Sequence, residues 1–224
     1  MTQRLYIICA LERTGSTWLC SMLQSTGMMG EPQEWYNESP LSVARQRYPH
    51  SSRMGLPFLK RLAMDTSTPN GIFGVKVMVQ MLGHFGVYRD WDEIVRRYDP
   101  KMVFLRRRDR LCQAISRYRA AYSEQWQLQV GEQAAPPPPF NAAEICREER
   151  HFYHLEELWQ REFRKVKVLP LELWYEDIQE NPQAAVDAVC HLVGVSAPPV
   201  DPTNCSLVVQ RDLLTQFWVR RITG

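Results

Sequence analysis

Five residues near the start of the chain, Arg13-Thr14-Gly15-Ser16-Thr17, carry the first chemical signal. They follow directly on a run of apolar and β-branched residues, Arg4 to Leu11, and precede a segment with Trp18, Leu19, Met22 and Leu23 on one stripe. That pattern predicts a strand, a tight turn and a helix that stops near Gly27. The first N–H groups of a helix have no partners inside it, and the helix dipole places about half a positive charge there. Gly15 lets the backbone approach an anion, Ser16 and Thr17 add hydroxyls, and Arg13 adds a cation. The segment departs from the nucleotide-binding pattern GxxxxGKS/T, with Ala10 at the first glycine and Ser16 at the lysine. A triphosphate grip is therefore incomplete. An ordinary strand–turn–helix capped by Ser16 also fits these residues.

A second basic corner lies at Arg106-Arg107-Arg108, after the predicted third strand Met102 to Leu105. Side chains alternate in direction along an extended segment, so at least one of the three points to the same sheet edge as Arg13. Cys112, Ser116 and Arg119 share one face of the following helix. An arginine with a nearby serine suits a phosphate, because guanidinium contacts are bidentate and the hydroxyl donates. Three adjacent arginines also occur as a solvated charge run. Two anion sites at two strand ends fit a ligand with two separated anionic groups.

Further candidates sit in the loop Gly30 to Asn37, which contains Glu31, Pro32, Gln33, Glu34, Trp35 and Tyr36. A hydroxyl is a poor nucleophile until a base takes its proton, and either glutamate could serve. The plainer alternative makes Glu34 a surface carboxylate and Trp35 a core residue. Lys76 lies inside the predicted strand Ile72 to Met78, where a charge is costly unless paired. It either leans on a bound anionic group or neutralises an internal carboxylate. The five histidines show no metal-ligand pattern, so no metal is expected.

Strands alternating with helices must position these groups, which predicts an α/β fold with a mostly parallel sheet flanked by helices. A helix follows Arg108, with Leu111, Ala114, Ile115, Tyr118 and Tyr122 on its core side. Residues 39–65 read as irregular helices broken near Gly55-Leu56-Pro57. A long helix covers about 141–164 and a last strand Val166 to Leu173, followed by Tyr175-Glu176-Asp177. Pro182 to Val193 is a helix, and the tail from Val208 to Arg221 is amphipathic. Four consecutive prolines, Pro136 to Pro139, mark an exposed mobile loop near 131–140 in what reads as one domain over 1–224. The chain has 224 residues and a net charge of +2, too weak to argue for nucleic acid. Its six cysteines, at 9, 20, 112, 146, 190 and 205, lack CxxC spacing and read as reduced. The N-terminal apolar run is far short of the roughly 20 residues of a membrane span, so the chain reads as cytoplasmic.

Five stretches taken in order, ERTGSTWL, GEPQEWYN, TPNGIFGVKVM, RRDRLCQAISRYRA and QRDLLTQFWVRR, resemble the bacterial sulfotransferase family typified by trehalose 2-sulfotransferase. The resemblance implies a P-loop-like sulfotransferase fold and transfer of a sulfuryl group from 3′-phosphoadenosine 5′-phosphosulfate to a hydroxyl of a carbohydrate or glycolipid-like acceptor. It implies that residues 13–17 cradle the 5′-phosphosulfate and that Arg107 and Ser116 hold the 3′-phosphate. Arg108 has the spacing to Ser116 seen in the wider superfamily, so the choice of arginine stays open. Cys112 stands where the family often has serine. Glu34 would be the base, Glu31, Pro32, Gln33 and Asn37 would line the sugar, and Trp35 and Tyr36 would pack on its face. The Gln210–Trp218 tail would return near the nucleotide. The chain is short for the family, so part of the acceptor side differs or comes from a partner subunit, as in a homodimer. Two rivals are a P-loop kinase and a sugar- or anion-binding relative without turnover.

Overall fold

The computed structural model describes residues 3–37, 39, 42–50, 55–84, 87–204 and 212–224. Strand β1 (Arg4–Ala10) leads into helix α1 (Ser16–Ser25). Two helices, α2 (Val43–Arg47) and α3 (Leu56–Thr66), come before β2 (Ile72–Met78). Helices α4 (Val79–His84) and α5 (Val87–Tyr98) connect β2 to β3 (Lys101–Arg106). After β3 come α6 (Arg110–Ser123), α7 (Ala142–Val166) and β4 (Leu171–Trp174). The chain continues through α8 (Tyr175–Glu180), α9 (Pro182–Val193) and α10 (Leu213–Thr223).

The four strands form one parallel sheet in the order β2-β1-β3-β4. The first two strands are buried almost throughout, as parallel strands covered on both faces require. From β1 the chain steps to one side for β2 and then to the other side for β3. The sheet therefore reverses direction beside β1, and in open α/β sheets that reversal opens a crevice at the strand C-termini. Ala10, Met78 and Leu105 sit level with one another at that edge.

The main core packs around the sheet and includes Tyr6, Ile8, Phe73, Phe104, Trp91 and Trp159. Trp159 also donates its indole N–H to the carbonyl of Ala10 at 3.0 Å, which ties α7 to the end of β1. A smaller apolar cluster joins α6, the start of α7 and α10 through Ala114, Ile115, Ile145 and Trp218. Four cysteines, Cys9, Cys20, Cys112 and Cys190, are buried free thiols and Cys146 is partly exposed. Cys205 lies outside the described residues. No helix among the described residues is long and apolar enough to cross a membrane.

Three sequence expectations need correction. Val166 closes α7 and does not open a strand. Lys167 adopts a left-handed φ of 55°, Val168 N–H returns to the carbonyl of Phe163 at 3.0 Å, and β4 begins only at Leu171. Tyr122 is 61% exposed, because the apolar stripe of α6 runs past the core. Ser16 does not cap α1: Gly15 occupies that position with no side-chain cap.

Candidate active site

The β1–α1 turn bends through two left-handed residues, Arg13 at φ 62° and Gly15 at φ 75°. A non-glycine residue in this region carries strain of about 1–3 kcal/mol and persists only where its surroundings impose it. Several contacts do so. Thr14 is fully buried and donates its hydroxyl to Leu11 O at 2.7 Å, so that hydroxyl proton serves the turn. Gln113 of α6 donates to Glu12 O at 2.8 Å, and the Glu12 carboxylate accepts from Gln80 at 3.0 Å and from Arg117. Leu19 N–H makes the first intrahelical bond, to Gly15 O at 3.0 Å. The N–H groups of Ser16, Thr17 and Trp18 precede it and have no carbonyl to reach within the helix. Gly15 proves necessary for a reason other than anion approach. A Cβ there would lie 2.7 Å from Cδ2 of Tyr175, whose ring covers it.

The three arginines at the end of β3 separate cleanly. Arg106 turns to Glu156 and to Glu172, the latter at 2.9 Å. Arg108 is exposed and meets both carboxylate oxygens of Asp177, at 2.5 and 2.8 Å. Arg107 alone turns inward, with 6% of its surface exposed. Its Nη1 donates to the carbonyl of Arg13 at 3.0 Å, and its guanidinium carbon sits 4.6 Å from the centre of the Tyr175 ring. Its Nε is buried and has no hydrogen-bond partner. A buried donor left unmatched costs about 1–3 kcal/mol, which an anion placed there would recover.

Arg13 joins the two corners. Its Nε donates to Ser116 Oγ at 2.9 Å and its Nη1 to Trp126 O. Burial and then the Arg107 charge pull its pKa down to about 10, against an opposing pull from Glu12. Two guanidinium groups crowd together over a helix N-terminus, a positive field suited to phosphate or sulfate. Arg119, one turn beyond Ser116, is engaged elsewhere, with both Nη atoms 2.8 Å from Asp212. That pair docks α10 back onto α6. Gln210 and Arg211 lie outside the described residues.

At the neighbouring strand, Gln33 adds a single parallel rung to β2, its carbonyl accepting from Lys76 N at 2.9 Å. This places Glu34 beside the Lys76 side chain. Lys76 is 2% exposed and its Nζ lies 2.8 Å from Glu34 Oε1 and 3.0 Å from Thr17 Oγ1. Asn37 donates to the other oxygen, Oε2, at 3.0 Å. Burial pushes the Glu34 carboxyl up, but the Lys76 charge and the hydrogen bonds from Lys76 and Asn37 outweigh it. Its pKa is therefore below the ordinary value, and Glu34 is a carboxylate at neutral pH. Lys76 thus has the internal carboxylate partner that its burial requires, and it touches Thr17, at the end of the β1–α1 turn, as well.

The rest of that loop divides by burial. Glu31, Gln33 and Asn37 are partly exposed. Glu31 pairs with Arg47 at 2.6 Å, and Gln33 Nε2 reaches Gln24 at 3.3 Å. Pro32, Trp35 and Tyr36 are buried. Trp35 donates to Glu31 O at 2.8 Å, and Tyr36 packs edge-on against Phe58 with ring centres 5.9 Å apart. The expectation that these two rings offer a sugar platform is corrected: both are packed under the loop and support it. Sequence reasoning missed Tyr175 and Trp126. Tyr175 directly follows β4, and its place at the end of a parallel strand was the available signal.

The sequence model of the Stf0 sulphotransferase family matches residues 5–223. The chain is 25% identical to trehalose 2-sulfotransferase of Mycobacterium tuberculosis (strain ATCC 35801 / TMC 107 / Erdman), over 97% of this chain and 94% of that protein. It is 26% identical to trehalose 2-sulfotransferase of Mycolicibacterium smegmatis (strain ATCC 700084 / mc(2)155), over 96% and 93%. Among solved structures it resembles a sulfotransferase from Alicyclobacillus acidocaldarius, with a TM-score of 0.54 and 14% identity, covering 100% of this chain and 94% of that one. The sulfotransferase domain from the curacin biosynthetic pathway gives a TM-score of 0.50 and 12% identity, covering 100% and 99%. At these identities the two structures speak for the fold.

Proposed function

We propose that this chain, which belongs to the Stf0 sulphotransferase family, moves a sulfuryl group from 3′-phosphoadenosine 5′-phosphosulfate to a hydroxyl of a sugar acceptor. One observation carries the reading: the buried, unmatched Nε of Arg107 beside Arg13, Ser116 and the open N-terminus of α1. A ligand with two anionic groups satisfies both halves of that corner. The donor supplies an activated sulfuryl group and, as leaving group, adenosine 3′,5′-bisphosphate.

In this scheme Arg13 and the N–H groups of Ser16 to Trp18 hold the 5′-phosphosulfate, while Arg107 and Ser116 hold the 3′-phosphate. Glu34 takes the proton of the acceptor hydroxyl as the new S–O bond forms. The old S–O bond breaks with its electron pair passing to the 5′-phosphate oxygen. Lys76, between Thr17 and Glu34, stands where negative charge shifts during transfer, so it supports both the leaving phosphate and the carboxylate. In-line transfer of this kind depends on positioning and on cations around the moving group. Glu31, Gln33 and Asn37 offer polar atoms to sugar hydroxyls. The two relatives named for trehalose make trehalose the first acceptor to try.

The test is transfer of radiolabel from sulfur-labelled donor to a panel of trehalose, glucose and glycolipid head groups. Label on a carbohydrate, dependent on Glu34, is the expected result. Saturable binding of ATP with magnesium, and no affinity for adenosine 3′,5′-bisphosphate, would contradict it.

A further inference from the structure

Three consecutive residues at the start of α8 grip three consecutive residues of the β3–α6 turn, and the transfer scheme uses none of the three. Tyr175 sets its ring against Gly15 and holds the Arg107 guanidinium carbon 4.6 Å from the ring centre. Glu176 accepts from the backbone N–H of Arg108, at 3.0 and 3.1 Å, and from that of Asp109 at 3.1 Å. Asp177 takes the Arg108 guanidinium with both oxygens. Asp109, held in this way, caps α6 by accepting from Cys112 N at 2.9 Å, one turn before Ser116.

The two arginines are held by different chemistry. A carboxylate pairs with Arg108, which neutralises its charge and occupies two of its N–H groups. An aromatic face holds Arg107. The ring quadrupole attracts the cation yet takes no N–H donor, so the charge and the donors not spent on Arg13 O remain for a ligand. From this geometry we infer that Tyr175-Glu176-Asp177 is a positioning clamp that selects Arg107 over Arg108 for the ligand's 3′-anion and fixes its guanidinium before the ligand arrives. Tyr175 acts through Arg107 and is a positioning residue. The inference rests on the donor reading above.

The test compares dissociation constants of adenosine 3′,5′-bisphosphate and adenosine 5′-monophosphate by calorimetry on the full chain. Their ratio isolates the anion that Arg107 holds. Tyr175→Leu should weaken the bisphosphate about tenfold, within the usual range of a partly buried cation–π contact, and leave the monophosphate unchanged. Tyr175→Phe, which keeps the ring, should restore the wild-type ratio. Arg108→Ala should leave the ratio alone. An unchanged ratio in Tyr175→Leu, an equal loss for both nucleotides, or a loss of the ratio in Arg108→Ala would overturn the clamp. Should circular dichroism find Tyr175→Leu unfolded, Glu176→Gln decides. It should lower the ratio about fivefold, the difference between charged and neutral acceptors, and a wild-type ratio there would also overturn the inference. A wild-type protein with no preference for the bisphosphate would strike the donor reading itself.

Discussion

Two corners of one sheet edge solve the same problem in opposite ways. At the β1/β3 corner, Arg13 and Arg107 crowd together and a buried Nε has no partner. At the β2 corner, Lys76 sits between Glu34 and Thr17, and both Glu34 oxygens already accept a hydrogen bond. The first corner is incomplete without an anion from outside. The second is complete in itself, and in the proposed scheme it exchanges a proton. A strong static field suits a donor that arrives charged. A paired carboxylate, kept ionised by its lysine, suits an acceptor that arrives neutral and leaves its proton behind.

The largest test of this contrast is Glu34→Gln. Turnover should fall by roughly 10²–10⁴, the usual size of a general-base contribution, while calorimetric affinity for adenosine 3′,5′-bisphosphate stays the same. A loss of nucleotide binding would mean that the corners are not separable. Arg107→Ala should do the reverse. Bisphosphate affinity should drop by about 10–100-fold, as for a lost hydrogen bond to a charged group, while turnover at saturating donor changes less.

Lys76→Met sharpens the comparison through pH. Glu34 has a pKa below the ordinary carboxylate value because Lys76 and Asn37 outweigh its burial. Without the ammonium, burial dominates and the pKa rises, so the acid limb of the activity–pH profile should move to higher pH. A depressed native pKa stabilises the fold above the unfolded-state value, and that contribution is lost as pH falls through the native value. Thermal melts across the acid range should therefore show less acid sensitivity in Lys76→Met than in the wild type.

The smallest effect is expected at α10. Burial raises the Asp212 pKa, but Arg119 and Thr215 pull it down from 3.8 to about 2. Its contribution is present above pH 3.8 and fades as pH falls toward 2. The pair is partly solvated, so Asp212→Asn should lower the melting temperature at neutral pH by only about 2 °C and have no effect near pH 2.

Much of this architecture was legible in the residues. The buried strands announce themselves as apolar runs, interrupted in β2 by Lys76, and the Arg13–Thr17 turn follows from its place between one such run and an amphipathic stripe. The choice between Arg107 and Arg108 was not. Alternation says that neighbours diverge but leaves open which one faces inward, and that depends on Tyr175 and Asp177, nearly seventy positions later. The residues alone allowed Trp35 to be a core residue, as it is. The sugar-facing role of Trp35 and Tyr36 came from the family resemblance, which carries no record of the Phe58 and Tyr48 rings that cover them here. The start of β4 was misjudged because Val166 and Val168 favour a strand, whereas the stacked Trp159 and Phe163 rings keep α7 helical through that point.

The most direct trial of the shared-donor idea is a crystal structure with adenosine 3′,5′-bisphosphate. The 5′-phosphate should lie against the N–H groups of Ser16 to Trp18 beside Arg13, and the 3′-phosphate should accept from Arg107 Nε and Ser116. A nucleotide that reaches only one of these two anion sites, or whose 3′-phosphate rests on Arg108, would contradict that idea.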